Sequence, residues 1–251
     1  MKRLLILLSA LMFVSPVGAE TLRVFCSGGM FPVIKSLKQE YEQKTGNTLT
    51  LEAAPSMGDT PQAIPNRLKR HDDADVLVMV DYAIKPLVEK QQAKADTHQV
   101  LAHSYIAMAV KEGAAAPDIS NLSKFKQVLT EASMIAVSDS ASGKYIRSEM
   151  LKKLHLGEKT AKKIVVIPAT PVGEAVAEGK APIGFQQNSE LKAVKGITIV
   201  GLIPQAAQQD TLYGAVVTTT SKQPKAAVDF VHYLQTDRVK DVMRDKGLTP
   251  L

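Results

Sequence analysis

Short β-rich runs alternate with amphipathic helical runs along nearly all of this 251-residue chain. The runs TLRVFC, TLTLEA and DVLVMV are each followed by a helical pattern, over residues 31–45, 61–69 and 84–91. Strands that alternate with helices are typical of α/β proteins, because parallel strands need a crossover connection. The alternation therefore predicts an α/β fold with parallel sheets.

The order of the elements predicts two lobes rather than one continuous sheet. One lobe would hold residues 20–102 together with 211–251, and the other residues 103–210. The run HSYIAMAV, over 103–110, is predicted as one strand, and GAAAP over 113–117 as a linker. Two crossings between lobes would leave a ligand cleft between them, since binding sites favour domain interfaces and the carboxyl ends of parallel strands.

Residues 1–19 have the pattern of a secretory signal peptide. Lys2 and Arg3 precede an apolar stretch over 4–14, and Pro16 and the small residues that end at Ala19 follow. The apolar stretch is shorter than the roughly 20 residues that a membrane-spanning helix needs. We expect cleavage after Ala19 and a periplasmic protein.

Composition excludes few classes of function. The net charge of +6 is spread along the chain, and no basic run with interleaved aromatic residues points to nucleic acid. Cys26 is the only cysteine, so an intramolecular disulfide is impossible, and its place at the end of an apolar run favours a buried thiol.

Four turns between a predicted strand and helix carry residues suited to anion binding. Glycine lets the backbone approach a ligand, hydroxyls donate hydrogen bonds, and free N–H groups at a helix start attract negative charge. Each turn taken alone also fits ordinary helix capping. The predicted ligand-binding residues in these turns are Ser27, Gly28 and Gly29; Ser56, Met57, Gly58 and Thr60; Ser140, Ser142 and Gly143; and Pro171 and Val172.

Three longer side chains complete the predicted site. Arg67 and Arg147 follow the second and third turns, and either guanidinium would suit a carboxylate. Gln186, after the run PIGF, would add amide hydrogen bonds. If Arg147 binds the ligand, its replacement by alanine should weaken binding at least about tenfold.

Familiar enzyme motifs are scarce. The five histidines lack metal-ligand spacing, and the chain has no Walker loop, G-x-G-x-x-G or G-x-S-x-G motif. We therefore expect no metal and no cofactor.

Several segments resemble the periplasmic molybdate-binding protein family. They are RVFCSGGM, EYEQKTG, ADVLVMVD and IAVSDSASGKYIRSEMLKKL, and the similarity extends over nearly the whole chain after the leader. The resemblance implies the type II periplasmic binding protein fold, with two α/β lobes and a ligand between them. It also implies delivery of an oxyanion to an ABC transporter.

The chain departs from that family where its members contact molybdate. Gly29 stands where the family has a binding serine, and Phe185 or Gln186 where it has a tyrosine. The segments PSMGDTPQAIPNRL, SDSASGKY and IGFQQ instead resemble a divergent branch of exported proteins, which is also similar to periplasmic aconitate isomerase. These departures favour an organic carboxylate over molybdate.

The sequence thus favours a monomeric solute-binding protein that captures a small anion for an ABC permease. The alternative is an isomerase that shifts the double bond of a small tricarboxylate. Such an enzyme needs a base near the substrate. The candidate bases are Tyr145, His103, Asp139 and Lys144, which the sequence does not rank.

Overall fold

The computed structural model describes residues 18–168 and 170–251. All of the predicted signal peptide except Gly18 and Ala19 lies outside the described residues. None of the described helices combines the length and the apolar character that would let it span a membrane.

The described strands are short and are numbered here in chain order. They are β1 (Thr21–Cys26), β2 (Thr48–Ala53), β3 (Val76–Val80), β4 (Gln99–Ser104), β5 (Ile106–Lys111), β6 (Ile135–Ser138), β7 (Ile164–Ile167), β8 (Ile183–Gln187), β9 (Ile197–Leu202), β10 (Thr211–Val217) and β11 (Thr249–Pro250).

Helices connect most of these strands. They are α1 (Phe31–Thr45), α2 (Ile64–Lys69), α3 (Lys85–Glu89), α4 (Leu122–Glu131), α5 (Ala141–Tyr145), α6 (Leu151–Lys153), α7 (Glu158–Ala161), α8 (Val172–Ala177), α9 (Asn188–Leu191), α10 (Pro224–Tyr233) and α11 (Asp237–Asp245). A π-helical segment, Ile146–Met150, joins α5 to α6 without a break.

The first lobe is built on a six-stranded sheet with the order β11-β4-β10-β3-β1-β2. Strand β1 runs parallel to β2 and β3, whereas β10 runs antiparallel to β3 and β4. Helices α1, α10 and α11 pack on one face through buried residues such as Leu37, Phe230 and Met243. The two C-terminal helices therefore belong to this lobe.

The second lobe is built on a five-stranded sheet with the order β7-β6-β8-β5-β9. Strand β6 lies parallel to β7 and β8, and β5 lies antiparallel to β8 and β9. Phe125 from α4 meets Phe185 from β8 edge to face in its core. Each sheet thus contains the parallel pairs that the alternation predicted, together with antiparallel pairs.

The chain crosses between the lobes at Tyr105 and again just before Thr211. The predicted single strand over 103–110 is therefore wrong, because β4 ends at Ser104 in one sheet and β5 begins at Ile106 in the other. The sequence pattern does not reveal this change of sheet, since the residues on either side of Tyr105 are both buried.

Candidate functional site

A cavity of about 160 Å³ lies between the two lobes, where strand ends from both sheets meet. Its wall is formed mostly by small and hydroxyl-bearing residues, with two carboxylates. The lining residues are Ser27, Gly28, Ala53, Ala54, Pro55, Gln62, Ser138, Asp139, Ser140, Thr170, Pro171, Gln186 and Glu190.

The first lobe contributes the carboxyl ends of two parallel strands. Strand β1 leads into Ser27 and Gly28, and β2 ends beside it at Ala53. The carbonyl of Ser27 accepts hydrogen bonds from the N–H groups of Met30 and Phe31 at the start of α1. Parallel pairing therefore brings two of the predicted turns to one edge of the sheet.

The second lobe contributes the end of β6 and the start of α5. The hydroxyl oxygens of Ser138 and Ser142 are 3.2 Å apart, and the N–H of Gly143 donates to the Ser138 hydroxyl. A side chain at position 143 would collide with the Ser138 carbonyl, so only glycine allows the helix to start this close to the strand. Ser138 and Ser140 line the cavity, whereas Ser142 and Gly143 are buried and do not line it.

The most unusual group in the wall is Glu190, which lies on the short helix α9. Its Oε2 accepts a hydrogen bond from the Gln186 amide nitrogen at 2.6 Å. Among the described residues, no lysine or arginine forms an ion pair with it. Burial raises the pKa of Glu190 to about 8, because a lone carboxylate is poorly solvated there, while the hydrogen bond from Gln186 acts in the opposite direction.

Glu190 also marks the contact between the lobes. It projects over Gly28, and any side chain at position 28 would collide with its carboxyl group. Beneath it, the Tyr213 hydroxyl lies against Gly29. Burial raises the pKa values of Tyr213 and of the Cys26 thiol well above their ordinary values, and the nearby Glu190 carboxylate adds to both shifts. Cys26 is thus a neutral thiol of the core.

Five predicted ligand-binding residues lie on the cavity wall: Ser27, Gly28, Ser140, Pro171 and Gln186. Other predicted ligand-binding residues do not line this cavity. The Ser56 hydroxyl accepts a hydrogen bond from the Val80 N–H at 2.9 Å, and Met57 lies near the exposed Tyr82 in a separate groove. Thr60 and Val172 are engaged through their backbones, Thr60 by the Asn66 side chain.

The side chain of Arg67, predicted to bind the ligand, does not line the cavity. Its side chain is only 9% exposed, and it forms ion pairs with Glu52 at 2.5 Å and Asp72 at 2.7 Å. Its guanidinium also lies 3.6 Å from the centre of the Phe25 ring. These contacts all lie within the first lobe, away from the cavity wall.

The side chain of Arg147, the other arginine predicted to bind the ligand, also lies outside the cavity wall. It is exposed on the π-helical segment, donates a 3.3 Å hydrogen bond to the Gly143 carbonyl and lines a separate outer pocket with Gly58 and Lys144. The inner cavity therefore has no arginine in its described wall.

The four predicted bases have different surroundings. Tyr145 donates to the carbonyls of Ala207 and Gln208, and His103 pairs with Asp210 at 2.7 Å beside the crossing between lobes. Lys144 is exposed outside the cavity. Only Asp139 lines the inner wall.

Sequence reasoning missed Glu190, Gln62 and Tyr213. Glu190 follows Gln186 by four residues, the spacing of one helical turn, but nothing in NSEL distinguishes it from a solvated helix end. Its proximity to Gly28 depends on the docking of two lobes, which local patterns do not encode.

Comparison with known proteins assigns the chain to a family. The model of the bacterial extracellular solute-binding proteins matches residues 22–249. The chain belongs to this family. An aconitate isomerase from Pseudomonas sp. is 48% identical to it over 231 residues, which cover 92% of this chain and 88% of that enzyme.

Solved structures confirm the fold of this solute-binding protein. The periplasmic molybdate-binding protein of Azotobacter vinelandii superimposes with a TM-score of 0.74 at 17% identity, over 91% of this chain and 98% of that one. PEB3 with L-phospholactate bound gives a TM-score of 0.68 at 14% identity, over 91% and 99%. The chain thus has the type II periplasmic binding protein fold, as the resemblance to molybdate-binding proteins implied.

Proposed function

We propose that this protein is an isomerase that interconverts cis- and trans-aconitate in the cleft between its lobes. The observation that carries the proposal is Glu190, a carboxyl group in the wall of a hydroxyl-rich cavity, where a neutral amide donates to it and no lysine or arginine of the described residues forms an ion pair with it. The 48% identity to an aconitate isomerase supports the same activity.

A carboxyl group in an anion site is a disadvantage if the site only binds. The ionised carboxylate would repel the anionic ligand, and the carboxyl group avoids this only while it is protonated. For proton transfer, however, a carboxyl with a pKa of about 8 is well suited, because a general base works best when its pKa lies near the operating pH. Glu190 therefore favours catalysis over carriage.

The reaction needs one proton to leave and one to return. Glu190, ionised, would take a proton from the methylene carbon of aconitate, and the C–H electron pair would spread over the three-carbon allylic unit. Return of the proton to the other end of that unit places the double bond at the former methylene carbon. The reaction involves no oxidation and no loss of atoms, so it requires no redox cofactor.

The remaining wall would hold the carboxylates of the substrate. Ser27, Ser138, Ser140 and Thr170 carry hydroxyl donors, and α1 and α5 begin at this edge of the cavity. Hydrogen bonds of this kind also stabilise negative charge that develops during the reaction.

The family itself favours a second function, capture of the same carboxylate for an ABC permease. Both functions would use the same cleft, but only the isomerase would convert one aconitate isomer into the other. The test is to incubate purified protein separately with cis- and trans-aconitate and to follow each isomer by proton NMR. Interconversion supports the enzyme, binding without interconversion supports the carrier, and neither binding nor turnover overturns both.

We further propose export to the periplasm as a monomer, with cleavage after Ala19. Mass spectrometry of the protein from a periplasmic extract should give a chain that begins at Glu20, and light scattering should give the mass of one chain. An N-terminus elsewhere would reject this cleavage site.

A further inference from the structure

The side-chain amide of Gln186 forms hydrogen bonds with the protein through both its oxygen and its nitrogen. Its Oε1 accepts a 2.8 Å hydrogen bond from the Val172 N–H, and its Nε2 donates to Glu190 Oε2 at 2.6 Å. It is buried, with 4% exposure. Each end of the amide is therefore held by a protein partner, and Gln186 acts on its protein neighbours.

The two hydrogen bonds also fix the orientation of the amide. Val172 offers a backbone N–H, which can only donate, so the amide oxygen must face it. The amide nitrogen must then face Glu190. Glu190 Oε2 consequently accepts a hydrogen bond whether the carboxyl is ionised or neutral, and the carboxyl proton belongs on Oε1.

We propose that Gln186 is a positioning residue that holds Glu190 Oε2 and so leaves Oε1 as the atom that gains and loses the proton. For catalysis this rests on the proposed isomerase function. Val172 starts helix α8, so the same amide ties the acid–base group to the turn that places Thr170 and Pro171 in the wall.

The groups that face Glu190 are consistent with this role. Cys26 from β1 and Tyr213 from β10 approach it, and the pKa values of both are raised. Gly28 contributes only backbone. Gln186 is therefore the neighbour that favours the ionised form, through its N–H donor.

Gln187 provides a matched control. It is the next residue on β8 and is also buried, and its amide is engaged at both ends: Oε1 accepts from the Ser104 hydroxyl at 2.7 Å, and Nε2 donates to the Thr211 hydroxyl at 3.2 Å. Because neighbouring residues of a strand point to opposite faces, it does not bond to Glu190. If the loss of any buried amide disturbed the protein, substitution at position 186 and substitution at position 187 should have similar effects.

The experiment compares the pH dependence of kcat in Gln186→Met, Gln187→Met and the wild type. Loss of the donor at position 186 should move the midpoint up by about one pH unit, since a hydrogen bond to a charged group favours that form by about this much. The kcat of this variant should fall at pH 7 and recover to within a few-fold above the new midpoint, with KM little changed. Gln187→Met should keep the wild-type midpoint.

An unchanged midpoint in Gln186→Met, or an equal shift in Gln187→Met, would overturn the positioning role. A second readout does not depend on turnover. Carbon-13 NMR of glutamate-labelled protein should show one carboxyl that titrates near pH 8, that is lost in Glu190→Gln and that titrates higher in Gln186→Met. If that carboxyl behaves as expected while no protein turns over aconitate, the positioning role stands and the isomerase function fails.

Discussion

Two ionisable side chains, the buried Arg67 and the partly buried Glu190, have opposite surroundings. Arg67 pairs with two carboxylates, Glu52 and Asp72, which Arg23 also contacts. Glu190 has one neutral amide donor and a raised pKa. A buried charge that is fully paired stabilises its own lobe, whereas an unpaired one at a cavity is a candidate for chemistry. The choice between the two roles therefore depends on partners rather than on residue type.

The largest effect is expected from Glu190→Gln, which keeps the shape and removes the proton-carrying group. Turnover of aconitate should fall by about 10²- to 10⁴-fold, the usual contribution of a general base. Binding, measured by calorimetry, should persist. Glu174→Gln, an exposed change on α8, is the control and should leave turnover unchanged. Full activity in Glu190→Gln would assign the proton transfer to another group, Asp139 being the other carboxyl in the wall.

The next effect concerns stability and pH. Glu190 has a folded-state pKa of about 8 against an ordinary value of 4.5, so unfolding releases its proton throughout that interval. The free energy of unfolding should therefore fall as pH rises from 5 to 8, by roughly 2–4 kcal/mol in total, since each pH unit is worth at most about 1.4 kcal/mol. Thermal melts of ligand-free wild type and Glu190→Gln measure this.

The two proteins should diverge as pH rises, with the variant becoming relatively more stable. The melts should be restricted to pH values below about 8.5. In more alkaline solution, unfolding also releases protons from Cys26 and Tyr213, whose pKa values are raised in the folded protein, and this lowers stability in the same direction. Parallel melting curves would mean that Glu190 titrates at an ordinary pH, and the contrast with Arg67 would then disappear.

Arg67→Met tests the other side of the comparison. Loss of the guanidinium leaves Glu52 and Asp72 with Arg23 alone and should cost roughly 2–3 kcal/mol of stability, somewhat less than a fully buried pair because both carboxylates are partly exposed. Arg238→Met, which breaks an exposed pair with Glu40, should cost less than about 1 kcal/mol. Denaturant unfolding measures both. If Arg67→Met instead weakens aconitate binding at unchanged stability, the arginine reaches the ligand after all.

Patterns local in sequence predicted the fold well. The strand over residues 21–26 and the helix over 31–45 have the predicted bounds, because the alternation of polar and apolar residues and Gly46 after α1 are local signals. The second helix starts at Ile64 rather than residue 61. The change of sheet at Tyr105 escaped prediction because a buried run has the same composition in either lobe.

The predicted residues at the strand ends lie on the cavity wall, whereas the two predicted arginines do not. Ser27, Gly28, Ser140 and Pro171 reach the cavity because the backbone places them there. The ends of Arg67 and Glu190 are set by partners far away in sequence: Glu52 lies 15 residues from Arg67, and Gly28 lies on the other lobe from Glu190. The sequence predicted that arginine side chains would bind the anion, whereas in the structure serine and threonine hydroxyls line the cavity.

The smallest effect is expected from Arg147→Ala. The sequence alone predicted a loss of at least about tenfold in affinity, on the assumption that the guanidinium forms a charge-assisted bond with the ligand. In the structure Arg147 is exposed and bonded to its own helix, outside the inner wall. Calorimetric affinity for aconitate should therefore change by less than about twofold, since an exposed charge is largely screened by solvent. Ser140→Ala removes a hydroxyl from the wall itself and should weaken binding by about two- to tenfold. If Arg147→Ala weakened binding more than Ser140→Ala, the carboxylates would extend into the outer pocket, and recognition would depend on an arginine rather than on neutral donors.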